Sequence, residues 1–235
     1  MSRISVIIPS YQHAKTLGDC LDSVLAQTVK ADEIIVVDDG STDATQDVLG
    51  SYTQKGIVVL TQQNQGSNPA RMAGFAASTG DRIIFCDADM RMRPDMLAKL
   101  SLALDAHAEA SYAYGSFRFG WKSFVGVPFD AARLRKGNYI HTSSLIRREH
   151  FPGFDLAIRR LQDWDLWLTM LEQGHGGIFV PEELFLVVDV RGRQGISQWL
   201  PSIAYRIPWK RFGWMPRSVA KYEAAKQIIS DKHRL

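Results

Sequence analysis

The chain has little cysteine, no long apolar run and no repeat, and each absence removes a class of protein. Its two cysteines, Cys20 and Cys86, lie far apart in apolar surroundings with no CxxC spacing. They exclude a disulfide framework and a zinc site, and read as small buried hydrophobes of a protein in a reducing, cytoplasmic compartment. The first apolar run, Ile4 to Ile8, is broken by Pro9 and falls far short of a signal-peptide core or a membrane span. No repeat, low-complexity tract or Gly/Ser linker is present, which excludes solenoids and flexible arrays. No GxGxxG follows the first run, so a dinucleotide-binding dehydrogenase is excluded. The six histidines, His13, His107, His141, His150, His175 and His233, lack metal-ligand spacing and read as surface or structural groups. Only His141, which opens His141-Thr142-Ser143-Ser144, is worth testing.

What remains is a globular composition with uneven charge. The 235 residues are 46% apolar, enough for one large domain, or one with a small appendage, that buries roughly 70 to 75% of its unfolded surface. From Arg191 to Leu235 ten Lys/Arg meet only Glu223 and Asp231, a net of +8; upstream 18 basic residues face 23 acidic ones, a net of −5. The basic end interleaves aromatics and cations: Trp199, Tyr205, Arg206, Trp209, Lys210, Arg211, Phe212, Trp214 and Arg217. Such a pattern fits peripheral contact with an anionic membrane surface, on the inner face of the cytoplasmic membrane; a tail helix packed on the body, with a solvated basic face, is the alternative. Nucleic acid is not expected as a partner, because no recognition module is visible.

The first hundred residues alternate β-branched runs with helical patterns. Ile4 to Ile8, Glu33 to Val37, Ile57 to Thr61 and Arg82 to Cys86 read as strands. Leu17, Leu21, Val24 and Leu25 mark the first helix, and Asp43 to Tyr52, Pro69 to Ser78 and Pro94 to His107 the next three. Four βα units of this kind predict an α/β fold with a parallel sheet covered on both faces, and ligands at the carboxyl ends of its strands. From Ser111 an aromatic-rich stretch runs to Phe129, then Tyr139 to Arg147, then a helix opening at Asp163 and closed by Gly174, then β-rich Gly177 to Val190.

Three carboxylate sites stand at predicted strand ends and helix starts. Asp38-Asp39-Gly40-Ser41-Thr42-Asp43 follows an apolar strand; Asp38 and Asp39 suit hydrogen bonding to a base or ribose, while Ser41 and Asp43 suit a helix entry. Asp87-Ala88-Asp89 follows another strand. Its two carboxylates point the same way and can converge on a hard divalent cation, which keeps open positions for water and phosphate oxygens. A solvated turn would use the same residues. Asp163, in Gln162-Asp163-Trp164-Asp165, is either an N-cap or an ionised base for an attacking hydroxyl.

In this order the sites resemble the nucleotide-sugar glycosyltransferases of family 2, from about Ile4 to Ser197. The marks are Val6-Ile7-Ile8-Pro9-Ser10-Tyr11, Val36 to Asp43, Asn64-Gln65-Gly66 leading to Ala70-Arg71 and Gly74, Asp87-Ala88-Asp89, and Asp163 to Leu168. The resemblance implies a GT-A fold: a mostly parallel nucleotide-binding sheet with helices on both faces, in a domain over residues 1–197. Its nucleotide-sugar half would be about 1–110 and its acceptor half about 111–197, with a basic aromatic tail over 198–235. It implies that Pro9, Ser10, Tyr11 and Asp39, with Asp38, hold the base and ribose, that Arg71 lies beside the base or phosphates, and that Asp87 touches the ribose or metal-bound waters. Asp89, with Asp87, would bind Mn2+ or Mg2+ on the diphosphate, and Asp163 would be the base of an inverting transfer to a saccharide or lipid-linked saccharide hydroxyl, as in bacterial envelope glycan synthesis.

The chain departs from the family pattern at Gln12, where Asn is common, and at Gln162, where Glu is common. Val190-Arg191-Gly192-Arg193 puts Arg193 where a histidine is usual, so no third protein metal ligand is expected, and Arg193 would either clamp phosphate oxygens or stand as a solvated basic residue of the tail. Two rivals share these residues: a nucleotide-sugar binder without turnover, and an aspartyl phosphotransferase. The latter usually opens its domain with the DxD, whereas here three βα units come first.

Overall fold

The computed structural model describes residues 2–188, 207, 209 and 215–235. The chain segment with Arg193 and most of the aromatic tail, including Trp199, Tyr205, Arg206, Lys210, Arg211, Phe212 and Trp214, lies outside them.

Strands β1 (Ile4–Ser10), β2 (Glu33–Asp38), β3 (Ile57–Thr61) and β4 (Arg82–Phe85) pair in parallel, with β1 between β2 and β4. Chain order runs outward from β1 to β3, then returns to β4 on the other side. That reversal opens a crevice at the carboxyl ends of β1 and β4. Pro9 does not end β1: the ladder to β4 stops at Ile7 opposite Phe85, so the missing N–H two residues on is not needed there.

Beyond β4 the sheet becomes mixed, with β8 (Leu145–Arg147), β6 (Ala110–Phe119), β9 (Gly176–Val187) and the edge strand β5 (Met90–Met92); β7 (Lys122–Phe124) forms a hairpin with β6. The helices are α1 (Leu17–Leu25), α2 (Thr45–Gly50), α3 (Ser67–Ala77), α4 (Met96–Ala106), α5 (Ala131–Lys136), α6 (Gln162–Glu172) and α7 (Arg217–His233). The second helix is shorter than the sequence pattern predicts because the Asp43 carboxylate accepts the Thr45 N–H and shapes the entry turn.

Alternation along β1 divides the core. Val6 and Ile8 face the layer containing α1 and α4; Ile7 faces Phe85, Trp167 and the α6 layer. Cys20 and Cys86 are free and buried side by side, their sulfurs 3.6 Å apart. A short third cluster, Ile35, Val37 and Ala70, seats α3 on β2. Gly74 permits that approach, since a Cβ there would collide with Ile7 and lie 3.2 Å from Val37.

α7 folds back on the body, burying Val219, Ala225, Ile229 and His233 while Arg217 and Lys221 stay exposed. For this stretch the packed helix holds. No helix among the described residues is long and apolar enough to cross a membrane.

Gly74→Val is expected to overpack the α3 contact at a cost of about 1–3 kcal/mol, a fall in Tm of about 2–12 °C for a chain this size. Gly50→Ala, where a Cβ meets nothing within 4 Å, should leave Tm unchanged or raise it; equal losses at both positions in thermal melts would refute the packing argument.

Candidate active site

The crevice is lined by the ends of β1, β2 and β4 and by the starts of α3 and α6. At the end of β1, Ser10 is 2% exposed and its hydroxyl has no hydrogen-bond partner, while Tyr11 lies on the surface. Gln12, at φ +58°, ties this end to the next loop: its amide nitrogen bonds Thr42 Oγ1 and its amide oxygen accepts the Asp43 N–H.

The paired aspartates after β2 turn inward. Asp38 is 0% exposed and its carboxylate accepts the Ser41 N–H at 3.1 Å and the Gln46 side-chain amide. Two of its roughly four lone-pair positions therefore serve the turn. Asp39 accepts three N–H groups, Gln62 Nε2 at 2.7 Å, Gln65 N at 2.9 Å and Gly66 N at 2.7 Å. Of a carboxylate's roughly four lone-pair positions one is left. Asp39 thus fixes the loop that launches α3, with Gly66 at φ +99° immediately before the helix.

α3 carries Arg71 into the centre of the site. One guanidinium nitrogen lies 2.7 Å from Asp87 Oδ1; another lies 3.3 Å from Asn68 Oδ1 and 3.4 Å from Gln162 Oε1. The group stands over the Phe154 ring, 5.4 Å from its centroid. Arg71 therefore joins the end of β4 to the first residue of α6, and its Nε is buried without a partner. Burial alone would raise the Asp87 pKa, but the charge and hydrogen bond of the Arg71 guanidinium outweigh it and hold the carboxyl below its usual value.

Asp87 and Asp89 flank the tight turn into β5, where the Met90 N–H bonds the Asp87 carbonyl and the Val188 N–H bonds the Asp89 carbonyl. Their carboxylate oxygens are the donor chemistry of Mg2+ or Mn2+, and Arg71 occupies one oxygen of Asp87, so the pair fits a hard cation that takes its other ligands elsewhere. Among the described residues no three acidic, histidine or cysteine side chains form a closed cage. His141 does not add a ligand: its Nδ1 accepts the Ser143 N–H at 3.0 Å, so the ring proton sits on Nε2 and leaves no lone pair there. Burial, then Arg71, lowers its pKa against the pull of Asp87 and Asp89, keeping the ring neutral.

Asp163 is the second residue of α6, not its cap; Leu161, at φ +57°, precedes the helix. Asp163 Oδ1 accepts the Trp164 N–H at 2.9 Å and Oδ2 accepts Asn138 Nδ2 at 2.6 Å. Burial, reinforced by the Asp87 charge, raises its pKa to about 6, while helix N–H groups and Arg71 oppose the rise. Asn138 carries no sequence signal: it follows a short helix in an aperiodic loop.

Asp39, Arg71, Asp87 and Asp163, far apart in sequence, are thus linked by a continuous chain of contacts, and Asp89 is one turn from Asp87. The family model for glycosyl transferase family 2 matches residues 5–164. The chain belongs to glycosyl transferase family 2. It is 32% identical over 174 residues, 68% of its length, to a PGL/p-HBAD biosynthesis glycosyltransferase of Mycobacterium bovis. Its fold matches TarS of S. aureus in complex with UDP-GlcNAc at TM-score 0.67 and 16% identity, over 97% of this chain and 71% of that one. It also matches the Pyrobaculum calidifontis mannosyltransferase in complex with GDP-Man and Mn2+, at TM-score 0.65 and 20% identity, over 97% of this chain and 70% of that one. The expected GT-A fold is therefore present. The chain spans 66% of the mycobacterial relative and 31% of a Nostoc glycosyltransferase that is 44% identical over 101 residues.

A buried carboxyl with a raised pKa costs stability wherever the folded protein must ionise it. Between 3.8, the ordinary value, and about 6 the folded state holds a proton that the unfolded state has lost, so stability falls as pH rises through this window. Asp163→Asn should remove that slope and melt no lower than the native chain at pH 8, with the difference fading below pH 4; parallel melting curves across the window would show that Asp163 is not raised.

Proposed function

We propose that the chain transfers a sugar from a nucleoside-diphosphate donor to an acceptor hydroxyl in one displacement with inversion. The observation that carries this reading is the Arg71 bridge, which joins Asp87, one of the two carboxylates proposed to hold the cation, to Gln162, the residue before the proposed base Asp163. The GDP-Man and Mn2+ in the mannosyltransferase neighbour support the same pairing of diphosphate donor and cation.

Asp163, poised near pH 6, is suited to take the acceptor proton at neutral pH. The acceptor O–H bond breaks, its oxygen forms the bond to the anomeric carbon, and the electron pair of the sugar–phosphate bond leaves with the diphosphate. Asp89, with Asp87, would hold Mn2+ or Mg2+; when bound, the cation supplies neutralisation of charge on the leaving diphosphate. Arg71 positions Asp87 and contributes positive charge beside it. Ser10 offers an unpartnered hydroxyl, Asp39 its remaining acceptor position and Tyr11 a flat exposed ring for the nucleotide, with Pro9 setting the strand end beneath them. The Arg193 clamp and the membrane-facing tail remain readings of the sequence, as do a saccharide or lipid-linked saccharide acceptor, envelope glycan synthesis and a cytoplasmic or peripheral location.

The test is a panel of UDP-, dTDP- and GDP-sugars with and without Mn2+. A donor at 100 times its Kd should stabilise the fold by about 2.7 kcal/mol, and Asp89→Asn should lose the Mn2+-dependent part. Asp163→Asn should retain donor stabilisation and lose about a hundred- to ten-thousandfold in kcat. Undiminished transfer by Asp163→Asn would remove it from the role of base; donor stabilisation without turnover in the native chain would favour a binding protein, and a flat panel would sink the donor class.

A further inference from the structure

Asn138 stands in a loop that α6 pins on both sides. Trp164 Nε1 donates to the Leu134 carbonyl at 2.7 Å, four residues before Asn138, and Trp167 Nε1 donates to the Ile140 carbonyl at 2.9 Å, two residues after it. Both indoles rise from the helix that carries Asp163, so the loop and the carboxylate are held in one frame. The amide of Asn138 has a fixed orientation within it. Its oxygen accepts the Ile140 N–H at 3.1 Å, and its nitrogen faces two oxygens, the Ile140 carbonyl at 3.1 Å and Asp163 Oδ2 at 2.6 Å. A flipped amide would set oxygen against carboxylate and carbonyl, and N–H against N–H.

We infer that Asn138 is the positioning residue of the Asp163 carboxylate, holding its rotamer and setting its basicity by a donated hydrogen bond. The inference rests on Asp163 being the base. With Trp164 N–H on Oδ1 and Asn138 on Oδ2, each oxygen keeps a lone pair for a proton. The other groups bearing on this carboxylate are Arg71 from α3, Asp87 from the end of β4 and the N–H groups of its own helix. Arg71 and the helix N–H groups also favour the ionised form, but Asn138 is the one side-chain donor within hydrogen-bond distance among the described contacts. A carboxylate loses basicity on receiving a hydrogen bond and regains it when the donor is removed.

The experiment is a carboxyl-carbon NMR titration of the unliganded full chain, with the Asp163 signal assigned by its loss in Asp163→Asn. Asn138→Asp keeps the shape and the oxygen facing Ile140 but replaces the donor with a second carboxyl, so the pair should share a proton and its upper step should rise by a unit or more. Asn138→Ala removes the donor together with both bonds to the Ile140 backbone, adds no charge, and should raise the midpoint by about one unit, the tenfold effect of a hydrogen bond to a charged group. In steady-state assays with whichever sugar nucleotide of the panel supports transfer, the acid limb should move with the midpoint while donor KM stays within about twofold, since the donor site lies on β1, β2 and β4. Unmoved midpoints in folded variants would overturn the inference and leave Asp163 as base untouched; a moved midpoint with undiminished transfer by Asp163→Asn would instead overturn the base reading.

Discussion

A guanidinium that is 7% exposed is the constraint on which the site depends. Left unpaired at that burial Arg71 would be costly, although Asp87, its side chain 31% exposed, keeps part of its hydration. Its contacts therefore have to be made together: Asp87 from β4, Asn68 from its own helix and Gln162 from α6. Each contact is modest, the bonds to Asn68 and Gln162 being 3.3 and 3.4 Å. Jointly they decide how far α6 stands from the end of β4, and hence how far Asp163 stands from the Asp87-Ala88-Asp89 turn. Gly74, one helical turn beyond Arg71, lets α3 lie close enough to β1 for the side chain to reach.

The same cation separates the behaviour of two aspartates that share the cleft. Asp87 has it at ion-pair distance and stays ionised despite its burial; Asp163 feels it only as one opposing influence and rises to about 6. Two carboxyls pushed in opposite directions can do different jobs at one pH: one keeps a permanent negative charge suited to a cation, the other titrates where a proton must be taken and released. Gln162 contributes to this division. A glutamate there would face Arg71 as a second anion, compete with Asp87 for the guanidinium and add a charge next to Asp163. The neutral amide keeps the bond to Arg71 without that competition.

The first hundred residues were largely legible in the sequence because their signals are local. Four β-branched runs, each closed by a turn and followed by an apolar helical stripe, name their own secondary structure, and the strand ends place Asp39, Asp87 and Asp89 without knowledge of packing. The half after Ser111 was less legible because its strands are defined by partners distant in sequence: β9 pairs with β6 in parallel through shifts of register near Gly115, and β5 is a strand only because β9 lies beside it. Packing also separates residues that look equivalent. Asp38 and Asp39 are adjacent acids in one motif, yet the pleat sends Asp38 under the α2 entry and Asp39 to the α3 loop. Asn138 is invisible for a related reason: its place comes from Trp164 and Trp167, which read as a core stripe and turn out also to donate hydrogen bonds on either side of the residue that meets Asp163.

The basic carboxyl end shows how one composition signal divides between surface and core. Lys232 and His233 are tied to the body: Lys232, its side chain 34% exposed, lies 2.7 Å from Asp165 Oδ1 and 2.8 Å from Asp155 Oδ2, and His233, its side chain 1% exposed, faces Asp165 with Nε2 and Glu172 with Nδ1, each at 2.9 Å. Asp165 is two residues from Asp163 and buried, so its charge would be costly without these partners. The end of α7 therefore stabilises the first turn of α6 from behind, while Arg71 and Gln162 hold it from the front. Asp155 extends the clamp, since its carbonyl accepts Asn68 Nδ2 at 3.0 Å and Asn68 in turn bonds Arg71. A helix start gripped on both sides gives Asp163 little freedom to leave the cleft, which is what the proposed role of base in a partly desolvated site requires.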